Sequence, residues 1–146
     1  MRIARLHILG YEARYVGGEY VMSGGRVISS LQSTIVKVET DDGRAGYGET
    51  CPLGSTYLPA HSAGARAAIE EVAPALIGVD PRNLNAVWAA MDGSLAGHDY
   101  AKAAIDIACW DLCGQAANAP PSSMLTGRFA AWPHRSQHAM SIAAFA

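Results

Sequence analysis

Few side chains in this 146-residue chain have the type and spacing to do chemistry. Glu49 sits in a run that reads as a strand, and a lone carboxylate at a strand end is more often a structural hydrogen-bond acceptor than a general base. Ser55 lies in Gly54-Ser55-Thr56, which is not the strand-to-helix elbow of a nucleophilic serine. Asp106 and Asp111 are five apart in an apolar helical stretch, so they point in different directions and make a poor metal pair. Asp106 is instead spaced to pair with Lys102 one turn earlier. Cys109 and Cys113 read as small hydrophobes on one side of the same helix, and a total of three cysteines argues against a disulfide framework. His134 and His138 form half a zinc site at best, with no Cys or carboxylate close by. Gly43, Gly46 and Gly48 have neither the spacing nor the following helix of a phosphate-binding loop. Spacing therefore assigns no catalytic and no metal-binding residue in this chain.

The elements that would position these groups fall into two halves. Arg2 to Tyr15 alternates loosely, with Ile3, Leu6, Ile8 and Tyr11 as its apolar members. Gly17 to Gly25 holds four glycines around Tyr20, Val21 and Met22 and reads as a mobile loop. Ser33 to Thr40 is a strand, with Val36 and Val38 on one face and Lys37 and Glu39 on the other. Asp41-Asp42-Gly43 signals a hairpin with a tight primed turn, returning as Arg44 to Thr50. In that return strand Gly46 and Gly48 share a face, which implies another element approaching closely.

The second half is helical. Ser62 reads as the N-cap of a helix carrying Ala65, Ala68, Ile69, Val72 and Leu76, which Pro74 kinks or ends. Asp80-Pro81 reads as the start of a second helix, with the stripe Leu84, Val87, Trp88, Met91 and Leu95. A third runs from about Asp99 to Ala117 with Ala101, Ala104, Ile105, Ala108 and Leu112 on one face. The pattern is an α+β fold: a three-stranded antiparallel meander followed by a three-helix bundle.

Composition excludes several classes. Half the residues are apolar and 16% are charged, which is the balance of a folded domain rather than a disordered tail. Net charge is −2 with no basic cluster, so nucleic acid is not expected as a partner. The N-terminus lacks the apolar run of a signal peptide, and no window approaches the roughly 18 apolar residues of a membrane span. A cytoplasmic protein, with no membrane partner, is the default expectation.

The third helix carries more information. Its run Ala101-Lys102-Ala103-Ala104-Ile105-Asp106-Ile107-Ala108-Cys109-Trp110-Asp111-Leu112-Cys113-Gly114-Gln115 resembles a hallmark of the enolase superfamily. The branch is that of the mandelate racemase and muconate lactonizing enzymes. Three upstream stretches agree in order: Thr40-Asp41-Asp42-Gly43 leading into Gly46-Tyr47-Gly48-Glu49-Thr50, then Ala73 to Gly78, then Asp80-Pro81. Within that family, Gly48 to Tyr57 together with His61 to Arg66 resembles in particular the cis-3-hydroxyproline dehydratases and the epimerases of hydroxyproline and proline betaines.

The resemblance implies the N-terminal capping domain over residues 1–126, followed by an aberrant or disordered tail over 127–146. It implies an isomerase or lyase chemistry: proton abstraction next to the carboxylate of a small acid or amino-acid-derived substrate, giving an enediolate held by Mg²⁺. Catalytic groups and metal ligands belong to a (β/α) barrel of at least about 200 residues, which would begin where this chain stops. The chain is therefore expected to be a truncated fragment, catalytically silent alone and binding no Mg²⁺ itself, of an enzyme whose complete members are homo-oligomers. What the family's capping domain supplies is a lid of two loops. Here they correspond to the glycine-rich loop and to Cys51–Tyr57, making Tyr20, Met22, Ser55, Thr56 and Tyr57 the candidate substrate contacts. Packing of these tyrosines against the loops is the plainer alternative. A free-standing small-molecule-binding or protein-interaction module that keeps the capping fold is the alternative to the enzyme part, with Leu125, Phe129, Trp132, Met140 and Ile142 covering the orphaned face.

Overall fold

The structure, a computed structural model, describes residues 1–126. The expectations for the tail, including His134, His138, Phe129, Trp132, Met140 and Ile142, lie outside the described residues. Strands β1 (Ile3–Arg14), β4 (Ser30–Thr40) and β5 (Ala45–Thr50) form one antiparallel sheet in the order β1-β4-β5. Between β1 and β4 a small hairpin, β2 (Tyr20–Val21) and β3 (Val27–Ile28), projects as a second sheet. Helices α1 (Ser62–Leu76), α2 (Leu84–Ser94), α3 (Asp99–Ala117) and α4 (Pro121–Thr126) follow. The α+β meander-then-helices architecture read from the sequence is the observed one, with α4 as an unanticipated addition.

Alternation fixes which sheet face is covered. Leu6 and Ile8 pair with Val38 and Val36, which pair in turn with Gly46 and Gly48. All six point to the helical side, and Val36 and Val38 are fully buried. The two glycines let α3 lie against the sheet at backbone distance. A Cβ on Gly46 would stand 2.2 Å from the Ala108 carbonyl oxygen, and one on Gly48 would stand 1.9 Å from that of Ala104. Helix α3 meets them with Ala104, Ala108 and Leu112, while Ile105 joins the core shared with Ile69 and Val72 of α1 and Met91 of α2.

Several local expectations are corrected by the hydrogen bonds that form. In the β4–β5 connection only Gly43 is left-handed (φ 82°). Its N–H donates to the Thr40 carbonyl at 3.0 Å, so the glycine follows an ordinary turn instead of completing a primed one. The cap of α1 is His61, whose Nδ1 accepts from the Gly64 N–H at 3.1 Å, and Ser62 is the first helical residue. Pro74 lies in the last turn of α1, and the helix ends two residues later at Leu76. The second helix begins at Leu84 with Asn83 as its cap. Asp80 is diverted because Arg82 donates to it from its backbone N–H (3.0 Å) and from its guanidinium (3.0 and 2.7 Å), closing a turn ahead of the helix. Leu95 falls just past α2 as its C-cap residue. The glycine-rich stretch is a paired hairpin, with the Met22 N–H donating to the Arg26 carbonyl at 2.7 Å.

The expected Lys102–Asp106 pair does not form. Lys102 is 1% exposed and points from α3 at the C-terminal end of α2. Its Nζ donates to Asp92 Oδ1 and to the Leu95 carbonyl oxygen, both at 2.6 Å. An ammonium there meets the partial negative charge of a helix C-terminus, which a carboxylate one turn further along its own helix cannot match. Asp106 accepts from Trp88 Nε1 at 2.8 Å instead, so each partner ties α3 to α2.

Candidate functional site

Of the residues first considered for chemistry, Glu49, Asp106, Asp111 and Cys109 are committed to structure. Glu49, on the open face of the sheet, accepts from the Tyr11 hydroxyl at 2.6 Å and from the Ser33 hydroxyl. The hydrogen bond to that carboxylate, then burial, pushes the Tyr11 hydroxyl above its ordinary pKa. Asp111 accepts from the Tyr47 N–H at 3.0 Å, satisfying a donor of edge strand β5. Burial, with smaller contributions from Asp106 and Cys113, pushes the Cys109 thiol up to about 12, so it is a core hydrophobe rather than a nucleophile. Among the described residues no three His, Cys, Asp or Glu converge to hold a metal ion. The described part of the chain therefore does not fit a Mg²⁺ site.

A different place has the shape of a ligand site. The β2–β3 hairpin and the segment 51–61 leave each sheet end on the same side and enclose a cleft of about 590 Å³. That volume suits a small molecule. Met22, Arg26 and Ile28 line it from the hairpin, Ser55 and Thr56 from the second loop, and His61 from the cap of α1. Its floor is the start of β4, Ser30 to Gln32. The lining contains no carboxylate, and Arg26 is its one permanently charged side chain.

Three of the five candidate contacts, Met22, Ser55 and Thr56, meet in this cleft although 33 residues separate Met22 from Ser55. Tyr20 does not line it; its ring stacks on Tyr15 with centroids 5.9 Å apart and planes at 16°. Tyr57 is half exposed beside the cleft, its N–H donating to the Gly54 carbonyl at 3.0 Å. Arg26 and His61 are the site residues that the reading for chemistry passed over. The signal for Arg26 was present: a lone cation directly after the left-handed Gly24 and Gly25 of a hairpin tip.

Fold and cleft together define an α+β domain that carries two apposed loops over a small-molecule-sized opening. The same fold is found in known proteins. The sequence profile of the N-terminal domain of mandelate racemase / muconate lactonizing enzymes matches residues 20–126. Cis-3-hydroxy-L-proline dehydratase of Roseibium aggregatum is 45% identical over 127 residues, covering 87% of this chain and 35% of that protein. A magnesium-complexed structure from Roseovarius nubinhibens ISM, described as of the mandelate racemase/muconate lactonizing type, superposes with TM-score 0.85 at 48% identity. It covers 89% of this chain and 35% of that one. The dipeptide epimerase of Enterococcus faecalis V583, complexed with Mg and the dipeptide L-Leu-L-Tyr, gives TM-score 0.80 at 37% identity, with 87% and 35% covered. The chain belongs to the mandelate racemase/muconate lactonizing enzyme family of the enolase superfamily and carries its N-terminal domain. It spans about a third of the length of these relatives.

Proposed function

We propose that this chain is the capping part of a Mg²⁺-dependent isomerase or lyase that removes the α-proton of a small carboxylate. The observation that carries this reading is the cleft: two loops far apart in sequence close on one opening lined by hydroxyls and a guanidinium, with no acidic side chain. Such a lining favours an anionic or hydroxylated ligand over a cationic one. The chain's own work is to bind, orient and shield. Ser55 and Thr56 offer hydroxyl donors, Met22 and Ile28 offer apolar contact, and closure of the two loops excludes water from the reacting carbon. Metal ligation and proton transfer are left to the barrel that the family resemblance implies.

The narrower substrate reading is a proline derivative, with cis-3-hydroxyproline ahead of the betaines. The 45% identity to cis-3-hydroxy-L-proline dehydratase supports it. Assembly into homo-oligomers belongs to the same proposal.

The test is a graft. Residues 1–126 replace the corresponding part of the Roseibium aggregatum dehydratase, and the chimera is assayed with cis-3-hydroxy-L-proline and Mg²⁺. Turnover is expected, with Thr56→Val and Ser55→Ala raising KM more than they lower kcat. A folded chimera that turns over a different small carboxylate overturns the substrate reading. One that is folded and silent towards a panel of hydroxyprolines, dipeptides and N-succinyl amino acids overturns the capping reading.

A further inference from the structure

We infer that Arg26 is a positioning residue that couples the two loops of the cleft, so that they order and move as one lid. Its Nη1 donates to the Thr56 carbonyl oxygen at 2.6 Å across 30 residues of sequence. Among the described residues no carboxylate pairs with this guanidinium.

The hairpin depends on such an anchor. Its ladder is two residue pairs long, Tyr20 with Ile28 and Val21 with Val27. A two-stranded ribbon of that size is marginal in water by itself. Tyr20, Val21 and Val27 are all more than half exposed, so packing adds little. The Tyr15–Tyr20 stack ties the hairpin only to its own stem. Among the described residues, the Arg26 hydrogen bond is the one that reaches the other loop.

At the far end the bond lands on a tight turn. The N–H groups of Tyr57 and Leu58 both donate to the Gly54 carbonyl, at 3.0 and 3.2 Å, and Gly54 is left-handed at φ 103°. The Thr56 carbonyl lies inside that turn. Holding it fixes the peptide plane between Thr56 and Tyr57, and with it the directions in which both side chains leave the backbone. A ligand that orders one loop therefore biases the other, and the coupling is reciprocal. None of this depends on what the cleft binds, so its failure and the failure of the capping reading are separable.

The test is amide exchange on the full 146-residue chain, with α1 as internal reference. In Arg26→Ala, amides of both 20–28 and 54–58 should exchange about threefold to tenfold faster, the size of one net hydrogen bond, while 65–76 are unchanged. Arg26→Lys should recover part of the protection, because a single carbonyl needs a single donor. Gly54→Ala, which strains the left-handed position, should speed exchange in the hairpin at 20–28 as well as in its own turn. Faster exchange in α1 would mark a folding failure of one variant, leaving the other to decide. Coupling is overturned if Arg26→Ala loosens only 20–28, or if Gly54→Ala loosens only its own loop.

Discussion

Replacing Gly48 by alanine tests how α3 is seated on the sheet. The new Cβ would stand 1.9 Å from the Ala104 carbonyl oxygen and 2.8 Å from the Ala108 nitrogen, whereas ordinary contact begins at 3.4 Å. The helix must therefore retreat by 3.4 − 1.9 = 1.5 Å at that point. The obstacle is backbone, so no side-chain rotation relieves it, and the retreat lifts Ala104, Ala108 and Leu112 away from Val36 and Val38. Overpacking of a core costs about 1–3 kcal/mol, and a rigid obstacle puts this site at about 3 kcal/mol. Alanine also stiffens the unfolded chain, which offsets roughly 0.4–1 kcal/mol. The net loss should be about 2–3 kcal/mol. In urea, with a slope of about 1–3 kcal/mol per molar, the far-ultraviolet circular dichroism midpoint should fall by about 1 M or more. Gly93→Ala is the control. It lies in α2, exposed, with nothing within 4 Å of its would-be Cβ. The same chemical change there should stabilise by up to about 1 kcal/mol. If Gly48→Ala stays within about 0.5 kcal/mol of the parent, as a neutral surface change would, the packing account of Gly46 and Gly48 is refuted.

At Lys102 the two partners should behave unequally. Asp92→Ala leaves the buried ammonium with only the Leu95 carbonyl and should cost about 2 kcal/mol or more. Lys102→Met fills the same space, frees an exposed carboxylate and should cost about 1 kcal/mol; equal losses by chemical denaturation would contradict this. On the open sheet face, the Lys37 ammonium at 2.5 Å, with the His7 ring at 3.1 Å, holds the Glu39 carboxyl at about 2. Depression of a carboxylate means that its stabilisation is full above the ordinary value of 4.5 and is lost as pH falls through about 2. Glu39→Gln should accordingly flatten the fall in melting temperature between pH 4.5 and 2; an unchanged profile would show that other groups govern that range. Cys109, fully buried, should resist iodoacetamide at pH 8 while the partly exposed Cys51 is alkylated. Mass spectrometry that finds both labelled at equal rates in the native chain would refute the core assignment.

Much of the fold was legible because its signals are local and periodic. The alternation of Val36, Lys37, Val38 and Glu39 specifies one buried strand face, and strand pairing carries that choice to Leu6, Ile8, Gly46 and Gly48. Helix α3, Asp99–Ala117, is where the apolar stripe from Ala101 to Leu112 placed it. Even the close approach of another element to Gly46 and Gly48 was readable, since two bare residues share one strand face; that the element is α3 came from the fold.

What the sequence by itself could not determine was which of several equivalent local partners would win. Asp80 and Asn83 both suit a helix cap, and the choice fell to Asn83 because Arg82 claims Asp80. Lys102 has Asp106 one turn away, yet the end of α2 offers both a carboxylate and a carbonyl to a buried ammonium. The cleft is the extreme case. Met22, Arg26, Ser55, Thr56 and His61 carry no shared spacing, and they meet only because the sheet sends two connections out at the same end. Periodicity records which face of an element is buried; it holds no record of contacts between loops, whose geometry is set by the strands that launch them.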